Sequence, residues 1–476
     1  MDLRARVLSA LRWSAVGRFG VQLISWSVTI LVIRVLTPAD YGLLAMATVL
    51  TSFLIALNDI GLDAVLVQKR DLTESDRQHI FGVILAINVL ICGLLLLGAP
   101  RIAGFYGEPR LTPIVRVLAL QFLIVMFDTL PQARLERELD FKGRTVIDML
   151  GTLSGSLATA LLAFRGFGVW ALVWGMLLTS ATRTIGLNWI AGCVVRPKWS
   201  LAAVRRHLAF GSFVSGYRAS FVVFSESDKF IGGKLLGKET LGYYAVAAHV
   251  ASLPIQKLAG VLQAVAFPAF AHASGEQADV RGHLLKATRV MSIVAFPMFL
   301  GISVVAPELV LLLLGPAWDV AIVPLQVLAL IMPLRMLSAL LTPLLIGLGR
   351  PGVNATNQLL AVVVMAPLFV VGAQRGAIGL AVAWLVGYPA LFAISVWRAC
   401  RAVGIAPAQY FDAMGRPLLL GLLMYSAIWV LRPVLVDSSD VIASLALLFA
   451  AGVGIYAAGL LTLHRAGLAE MTRLLH

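Results

Sequence analysis

The fold is decided by two uninterrupted apolar stretches, FGVILAINVLICGLLLLG at residues 81–98 and VIASLALLFAAGVGIYAAGLLTL at residues 441–463. Neither contains a charged residue, and each is long enough to cross roughly 30 Å of hydrocarbon as a helix. Both lack the alternation of apolar and polar residues that marks a membrane β-strand. Because the bilayer interior admits only helices or closed barrels, the two stretches predict transmembrane helices.

The composition extends this prediction to the whole chain of 476 residues. Hydrophobic residues make up 60% and charged residues 13%, and the mean hydropathy is +0.91, whereas soluble domains carry about 25% charged residues. The net charge of +14 is typical of the basic cytoplasmic loops of multi-span proteins. Since no soluble basic domain is present, nucleic-acid binding is excluded. The three cysteines, Cys92, Cys193 and Cys400, have no metal-ligand spacing.

Glycine, proline and charged residues between the apolar blocks divide the chain into about fourteen transmembrane helices, so the predicted fold class is an all-α polytopic membrane protein. Lys and Arg are roughly three times more frequent in the loops on the side of the N-terminus, which places both termini in the cytoplasm. The predicted spans are 13–36, 42–67, 78–98, 114–132, 146–164, 168–192, 208–235, 242–268, 288–313, 320–347, 355–373, 377–397, 415–433 and 441–463.

A duplication organises these spans. LTPADYGLLAMA at residues 36–47 recurs as LGKETLGYYAVA at residues 236–247, with the shared residues in register. Further matches follow in the same order. They pair 117–120 with 327–330, and Arg165-Gly166 with Arg375-Gly376.

The repeat predicts an N-lobe at 1–200 with six spans, a C-lobe at 201–400 with six more, and a C-terminal helix pair at 401–476. Because each copy has an even number of spans, both insert the same way up. The two lobes are therefore expected to be related by an axis along the membrane normal, with a cavity between them. Such an arrangement indicates a transporter.

Charged residues inside spans are costly and usually mark a functional cavity. The repeat relates Arg18 to Arg218, on spans one and seven. On span seven, Lys229 lies only about 20° from Arg218 around the helix. We expect these cations to bind an anion, because the planar guanidinium suits phosphate oxygens. Lys257 and Arg335 extend the predicted substrate-binding set, and internal ion pairs are the alternative.

Five carboxylates lie in or beside spans and form the predicted ion-coupling set. Such groups carry H⁺ or Na⁺ in coupled transport, or they act as counter-ions to the arginines. The sequence leaves both roles open. The five are Asp59, Asp63, Asp128, Glu226 and Asp228.

Catalysis is not expected. The glycine pattern at residues 347–352 satisfies G-x-G-x-x-G, but it follows a membrane helix and not a strand, so it predicts no nucleotide site. No loop is long enough for a soluble catalytic domain. The sequence therefore predicts a protein that is not an enzyme and holds neither a metal nor a cofactor.

Several short stretches resemble the bacterial polysaccharide flippases that export O-antigen and exopolysaccharide repeat units, within the multidrug/oligosaccharidyl-lipid/polysaccharide exporter superfamily. The resemblance covers roughly residues 10–400 in order. The stretches are RELDFK at 137–142, DKFIGGKLLG at 228–237, LGYY at 241–244, FP at 267–268 and 296–297, GPAW at 315–318 and PLQVL at 324–328.

The resemblance implies two six-helix lobes around a V-shaped cavity that opens alternately to each side of the bacterial inner membrane. It implies a cargo of undecaprenyl diphosphate carrying an oligosaccharide, held by cavity cations, with coupling to an ion gradient. A polysaccharide polymerase or biosynthesis complex is a further expected partner, besides the lipid bilayer.

Two alternatives differ in what the chain does. A cation-coupled multidrug antiporter would favour a carboxylate-dominated cavity, whereas this sequence has more intramembrane cations. A polymerase of polyprenyl-linked sugars would need a large periplasmic loop, and none is predicted.

Overall fold

The computed structural model describes residues 20–22, 24–58, 66, 73–138, 141–192, 195–199, 201–272, 277–436 and 440–463. Secondary structure in this part of the chain is helical, including a short 3₁₀ helix at Pro316–Ala321. The α-helices are α1 (Gly20–Val35), α2 (Pro38–Asn58), α3 (Glu74–Tyr106), α4 (Leu111–Val125), α5 (Thr129–Arg137), α6 (Phe141–Phe164), α7 (Val169–Ala191), α8 (Leu201–His272), α9 (Gln277–Leu313), α10 (Ile322–Ser338), α11 (Leu341–Gly347), α12 (Pro351–Ala373), α13 (Gly376–Val403), α14 (Pro407–Leu435) and α15 (Val441–Leu463).

The prediction of an all-helical polytopic membrane protein with about fourteen transmembrane helices is confirmed. Each predicted span coincides with one helix, with half of α8, or with the interrupted pairs α4–α5 and α10–α11. Among the described residues, nine spans are long and apolar enough to cross a membrane by themselves, or ten when α4 and α5 count as one. Large apolar side chains such as Leu97 (80% exposed) and Val434 (84%) face outward, as lipid contact requires.

The chain folds into two compact units, Met1–Gly242 and Tyr243–His476. Helix α8 contains the point of division and is broken at Gly237, whose φ of 76° is not helical. The division into lobes at residue 200 and a helix pair after residue 400 stays a prediction.

In the first unit, α4 lies at the centre, with Ile114, Leu118 and Phe122 buried almost completely. Helices α6 and α7 approach closely at Gly155 and Gly175. A Cβ at Gly155 would collide with Thr179 of α7, and a Cβ at Gly175 would collide with Thr159 of α6. Small residues that let helices approach are the usual basis of packing in a bilayer, where lipid competes with apolar side chains for contact.

The two copies of the duplicated motif cross within this unit. A Cβ at Gly42 would lie 1.7 Å from the carbonyl oxygen of Lys238, and a Cβ at Gly242 would lie 1.8 Å from that of Pro38. Equivalent positions of the two copies therefore make reciprocal contacts, as in a two-fold interface.

In the second unit, α9, α10 and α13 surround a core of large side chains. Trp318, Trp384, Phe299 and Phe369 are buried almost completely. The C-terminal helices α14 and α15 both pack against α9. Tyr456 of α15 donates a hydrogen bond of 2.9 Å to the carbonyl oxygen of Ile293 on α9.

Each unit contains one copy of the two further sequence matches. The matched residues 117–120 and 327–330 lie on α4 and α10, and each of these helices is followed by an interruption and a short helix. The matched glycines Gly166 and Gly376 both adopt left-handed φ values, 80° and 74°, in the turn before α7 and at the first residue of α13. The sequence matches therefore correspond to equivalent structural positions.

Candidate functional site

Several predicted site residues lie outside the part of the chain that the structure describes. Arg18, Asp59 and Asp63 fall outside the described residues. Arg218 and Lys257 belong to helix α8, but their side chains also lie outside the described set. The clamp formed by Arg18 and Arg218 therefore stays a prediction.

Lys229 has a carboxylate partner on its own helix. Its Nζ lies 2.7 Å from Oε2 of Glu226, three residues earlier. The neighbouring Asp228 is buried, and its Oδ1 accepts a hydrogen bond of 2.7 Å from the backbone N–H of Lys229. Glu226, Asp228 and Lys229 thus form a local cluster in which Glu226 compensates the charge of Lys229.

Arg335 is held by an aromatic ring in the second unit. Its guanidinium carbon lies 4.6 Å from the centroid of the Trp384 ring, in a cation–π contact between α10 and α13. No carboxylate within the described ranges lies at ion-pair distance from it. Arg335 is half-buried, and Trp384 orients its guanidinium.

The ring that orients Arg335 is itself fixed by hydrogen bonds. Trp384 Nε1 donates to the hydroxyl of Tyr244 at 3.0 Å. One helical turn further, Tyr388 donates to Ser338 Oγ at 2.8 Å, at the end of α10. Buried Trp and Tyr rings with satisfied polar atoms form a rigid support for Arg335.

Asp128 belongs to a polar network centred on Arg183. Arg183 Nε lies 3.0 Å from Asp148 Oδ1, and its NH1 lies 3.8 Å from Asp128 Oδ2. Its NH2 donates to Gln132 Oε1 at 2.9 Å. One guanidinium on α7 therefore connects the break between α4 and α5 to helix α6.

The same face of α7 supports the backbone at this break, where α4 and α5 meet at 43°. Asn188 Nδ2 donates to the carbonyl oxygen of Phe127 at 3.0 Å, and Thr184 Oγ1 donates to that of Ile124 at 3.5 Å. In a bilayer, carbonyls released by a helix break must find other donors. These polar side chains therefore stabilise the bend.

A second buried ion pair joins α9 to α14. Arg432 NH2 bonds Glu308 Oε1, and Arg432 NH1 donates to the carbonyl oxygen of Val304. The guanidinium also lies 5.3 Å from the ring centroid of Trp429. The pair attaches the C-terminal helices to the rest of the second unit.

Comparison with known proteins identifies the family. The family model described as "Polysaccharide biosynthesis protein" matches residues 31–323, which is more than half of the chain and includes the Arg183 network. The chain belongs to this polysaccharide biosynthesis family.

Relatives of this family member come from several bacteria. The chain is 26% identical to the lipopolysaccharide biosynthesis protein WzxC of Escherichia coli K12, over 81% of this chain and 79% of the relative. It is 26% identical to the teichuronic acid biosynthesis protein TuaB of Bacillus subtilis 168, over 88% and 87%. It is 25% identical to the succinoglycan biosynthesis transport protein ExoT of Rhizobium meliloti 1021, over 87% and 84%.

Solved structures share the fold of this family member. An inward closed conformation of the lipid II flippase MurJ superposes with a TM-score of 0.78, at 12% identity, over 95% of this chain and 99% of that one. An inward-facing multidrug transporter of the MATE family superposes with a TM-score of 0.61, at 15% identity, over 87% and 98%. These likenesses show that the fold is shared.

Sequence reasoning did not single out Asp148, Gln132 and Glu308 in this family member. Asp148 and Glu308 lie inside predicted spans and are charged, so the cost of burying a charge was a sufficient signal for both. Gln132 is uncharged, and its role depends on the bend that brings it to Arg183. No pattern in the sequence indicates that contact.

Proposed function

We propose that this protein is a flippase that moves undecaprenyl-diphosphate-linked oligosaccharide repeat units from the cytoplasmic to the periplasmic leaflet of a bacterial inner membrane. Both termini lie in the cytoplasm, and transport proceeds by alternating access with coupling to an ion gradient. The protein acts as a carrier and not as an enzyme. A polysaccharide polymerase or biosynthesis complex would receive the cargo.

The observation that carries the proposal is the combination of family and fold. The chain belongs to a polysaccharide biosynthesis family, and it has the fold of a lipid II flippase over 95% of its length. One of its relatives is named as a transport protein for succinoglycan biosynthesis. A membrane protein that serves polysaccharide synthesis and has a flippase fold is best explained as a carrier of the lipid-linked precursor.

The chemistry of the described residues supports an anionic cargo. Arg335 offers donors that no described carboxylate occupies, and its planar fork matches phosphate oxygens. Asp128, Asp148, Glu226 and Glu308 each lie beside a cation of the protein. The described charges therefore favour a negative ligand over a positive one.

The repeat-related arginines provide the direct test. In a strain that lacks the gene and its surface polysaccharide, we expect the wild-type gene to restore the polymer. The variants Arg18→Gln, Arg218→Gln and the double variant should reach the membrane and fail to restore it. Arg116→Gln is the matched control, because Arg116 is exposed and donates only a weak bond of 3.4 Å to the carbonyl oxygen of Leu96. Normal polysaccharide in the double variant would overturn the clamp.

The multidrug antiporter remains the second candidate, because a transporter of that class shares the fold with a TM-score of 0.61. It predicts that deletion of the gene increases susceptibility to cationic drugs and leaves surface polysaccharide unchanged. The flippase predicts the reverse. Measuring both properties in one deletion strain separates the two functions.

A further inference from the structure

The polar network at the α4–α5 break contains one fully buried carboxylate oxygen with no hydrogen-bond partner among the described residues, Oδ1 of Asp128. We propose that Asp128 is a reversible proton-binding site that couples protonation to the geometry of this break. The role that we assign to this proton in export rests on the proposed flippase function. The binding of the proton itself does not.

The first argument is the shortage of cations around Asp128. Arg183 serves two carboxylates, and it lies nearer to Asp148 (3.0 Å) than to Asp128 (3.8 Å). Asp148 also has Arg144 Nε at 3.9 Å. When two carboxylates compete for one guanidinium, the more weakly paired one binds a proton more readily.

The second argument is burial. The Asp128 side chain is 10% exposed, whereas that of Asp148 is 42% exposed. A buried anion without a full set of hydrogen bonds is more costly than a neutral carboxyl group in the same place. Of the two acids, Asp128 is therefore the one whose free-energy cost of burial falls more on protonation.

Among the residues that the structure describes, few other ionisable groups surround Asp128. Arg183 faces it from α7 and Asp148 from α6, and Gln132 on α5 is neutral. Helix α3 contributes apolar side chains to this region, including the Phe81 ring, whose centroid lies 6.1 Å from that of Phe127. Burial, the hydroxyl of Thr184, and the charges of Arg183 and Asp148 therefore act together on proton binding at Asp128.

Asp128 lies in the helix break itself, so a change in its charge acts directly on the segment that joins α4 to α5. Asp128 occupies the break itself, between the end of α4 at Val125 and the start of α5 at Thr129. Protonation converts the carboxylate and one H⁺ from water into a neutral carboxyl group, and the attraction between Asp128 and Arg183 is lost. Arg183 then keeps its contacts with Asp148 and Gln132, and Asn188 and Thr184 keep theirs with the backbone, so protonation weakens one of several attachments of the break to α7 and changes its geometry.

Infrared difference spectroscopy of the purified full-length protein in nanodiscs, between acidic and alkaline pH, tests the proton directly. The chain has 24 Asp and Glu residues that contribute carbonyl bands, so the signal is the difference between the wild type and Asp128→Asn: we expect one component of the carbonyl band in the wild type to be absent from the variant. In Asp148→Asn, the matched control, the component that depends on Asp128 should remain. Asp128→Glu should keep a band, and this result would show that the protein folds normally with another acid at position 128. Identical carbonyl bands in the wild type and in Asp128→Asn would overturn the proposal.

Two further measurements separate a bound proton from a bound sodium ion, and proton binding from its coupling to export. If NaCl removes the band and an equal concentration of KCl does not, sodium occupies the carboxylate and the proton assignment is wrong.

In the deletion strain, Asp128→Asn should reach the membrane and fail to restore the polysaccharide. Loss of the band with normal export would overturn the coupling while leaving the flippase intact. Failure of the wild-type gene to restore export would instead overturn the flippase and leave the proton site standing.

Discussion

Gly42 and Gly242 occupy equivalent positions in a duplicated motif, and each leaves room for the backbone of the helix that carries the other. The carbonyl oxygen of Lys238 lies against Gly42, and the carbonyl oxygen of Pro38 lies against Gly242. The duplication has therefore produced two helix starts that fit one another reciprocally. The contact is made by backbone atoms, so it leaves little freedom for side-chain adjustment.

We expect Gly42→Ala to destabilise the protein by about 1–3 kcal/mol, the usual cost of overpacking a tight contact. The added methyl group would lie 1.7 Å from a carbonyl oxygen, so the helices must separate. The melting temperature of the detergent-purified protein measures the effect. Gly93→Ala is the control, because a Cβ there meets nothing within 4 Å. Equal melting temperatures for both variants would contradict the close crossing.

The ion pair between Lys238 and Glu108 lies beside this crossing. Lys238 Nζ lies 2.9 Å from Glu108 Oε1, and both side chains are largely buried. We expect Glu108→Lys to lower the melting temperature, because two ammonium groups would then face one another. The double variant Glu108→Lys/Lys238→Glu should recover most of the loss. A double variant no more stable than the single one would show that the pair contributes nothing.

The buried pair of Glu308 and Arg432 should behave differently when one partner or both are removed. Glu308→Gln leaves the Arg432 guanidinium buried without its charge partner, which typically costs about 3–5 kcal/mol. Glu308→Leu/Arg432→Met removes both charges, and we expect it to be more stable than the single variant. Thermal unfolding of the wild type and the two variants measures the difference. If the single variant proves the more stable one, the two residues are not paired.

Arg335 should need both its charge and its planar shape. We expect Arg335→Gln to reduce the restored polysaccharide about tenfold or more, since a charge-assisted contact to phosphate is lost. Arg335→Lys keeps the charge but lacks the planar fork and the stacking on Trp384, so it should restore only part of the activity. Membrane levels of each variant are measured by immunoblot, with Arg116→Gln as the control. Full activity in Arg335→Gln would remove Arg335 from the binding site.

The sequence predicts the helices well because their cause is local. An uncharged run such as 81–98 must be helical in a bilayer whatever its neighbours are, and residues 81–98 lie within α3. The repeat was also readable, because matched residues such as Gly166 and Gly376 are required by the same turn in each copy. The bend between α4 and α5 was missed although it has a local signal: Pro131 has no N–H to donate to the carbonyl oxygen of Phe127, and the predicted span at 114–132 runs through it.

The residues that pair in space were not predictable in the same way. Lys229 was expected to bind an anion or to pair internally, and the structure places Glu226 beside it. Asp128 was expected to carry an ion or to serve as a counter-ion, and the structure places it at ion-pair distance from Arg183. Both outcomes depend on which side chains face one another.

By itself, the sequence determined that the chain is a helical membrane protein built from a duplicated unit, because hydropathy and repetition act along the chain. Only the tertiary structure decided which buried charges are compensated and which are available. Asp128, Asp148 and Arg183 lie on three different segments, the α4–α5 break, α6 and α7. Coulombic attraction between them depends on distances of a few ångströms, which helix packing sets and spacing along the sequence does not.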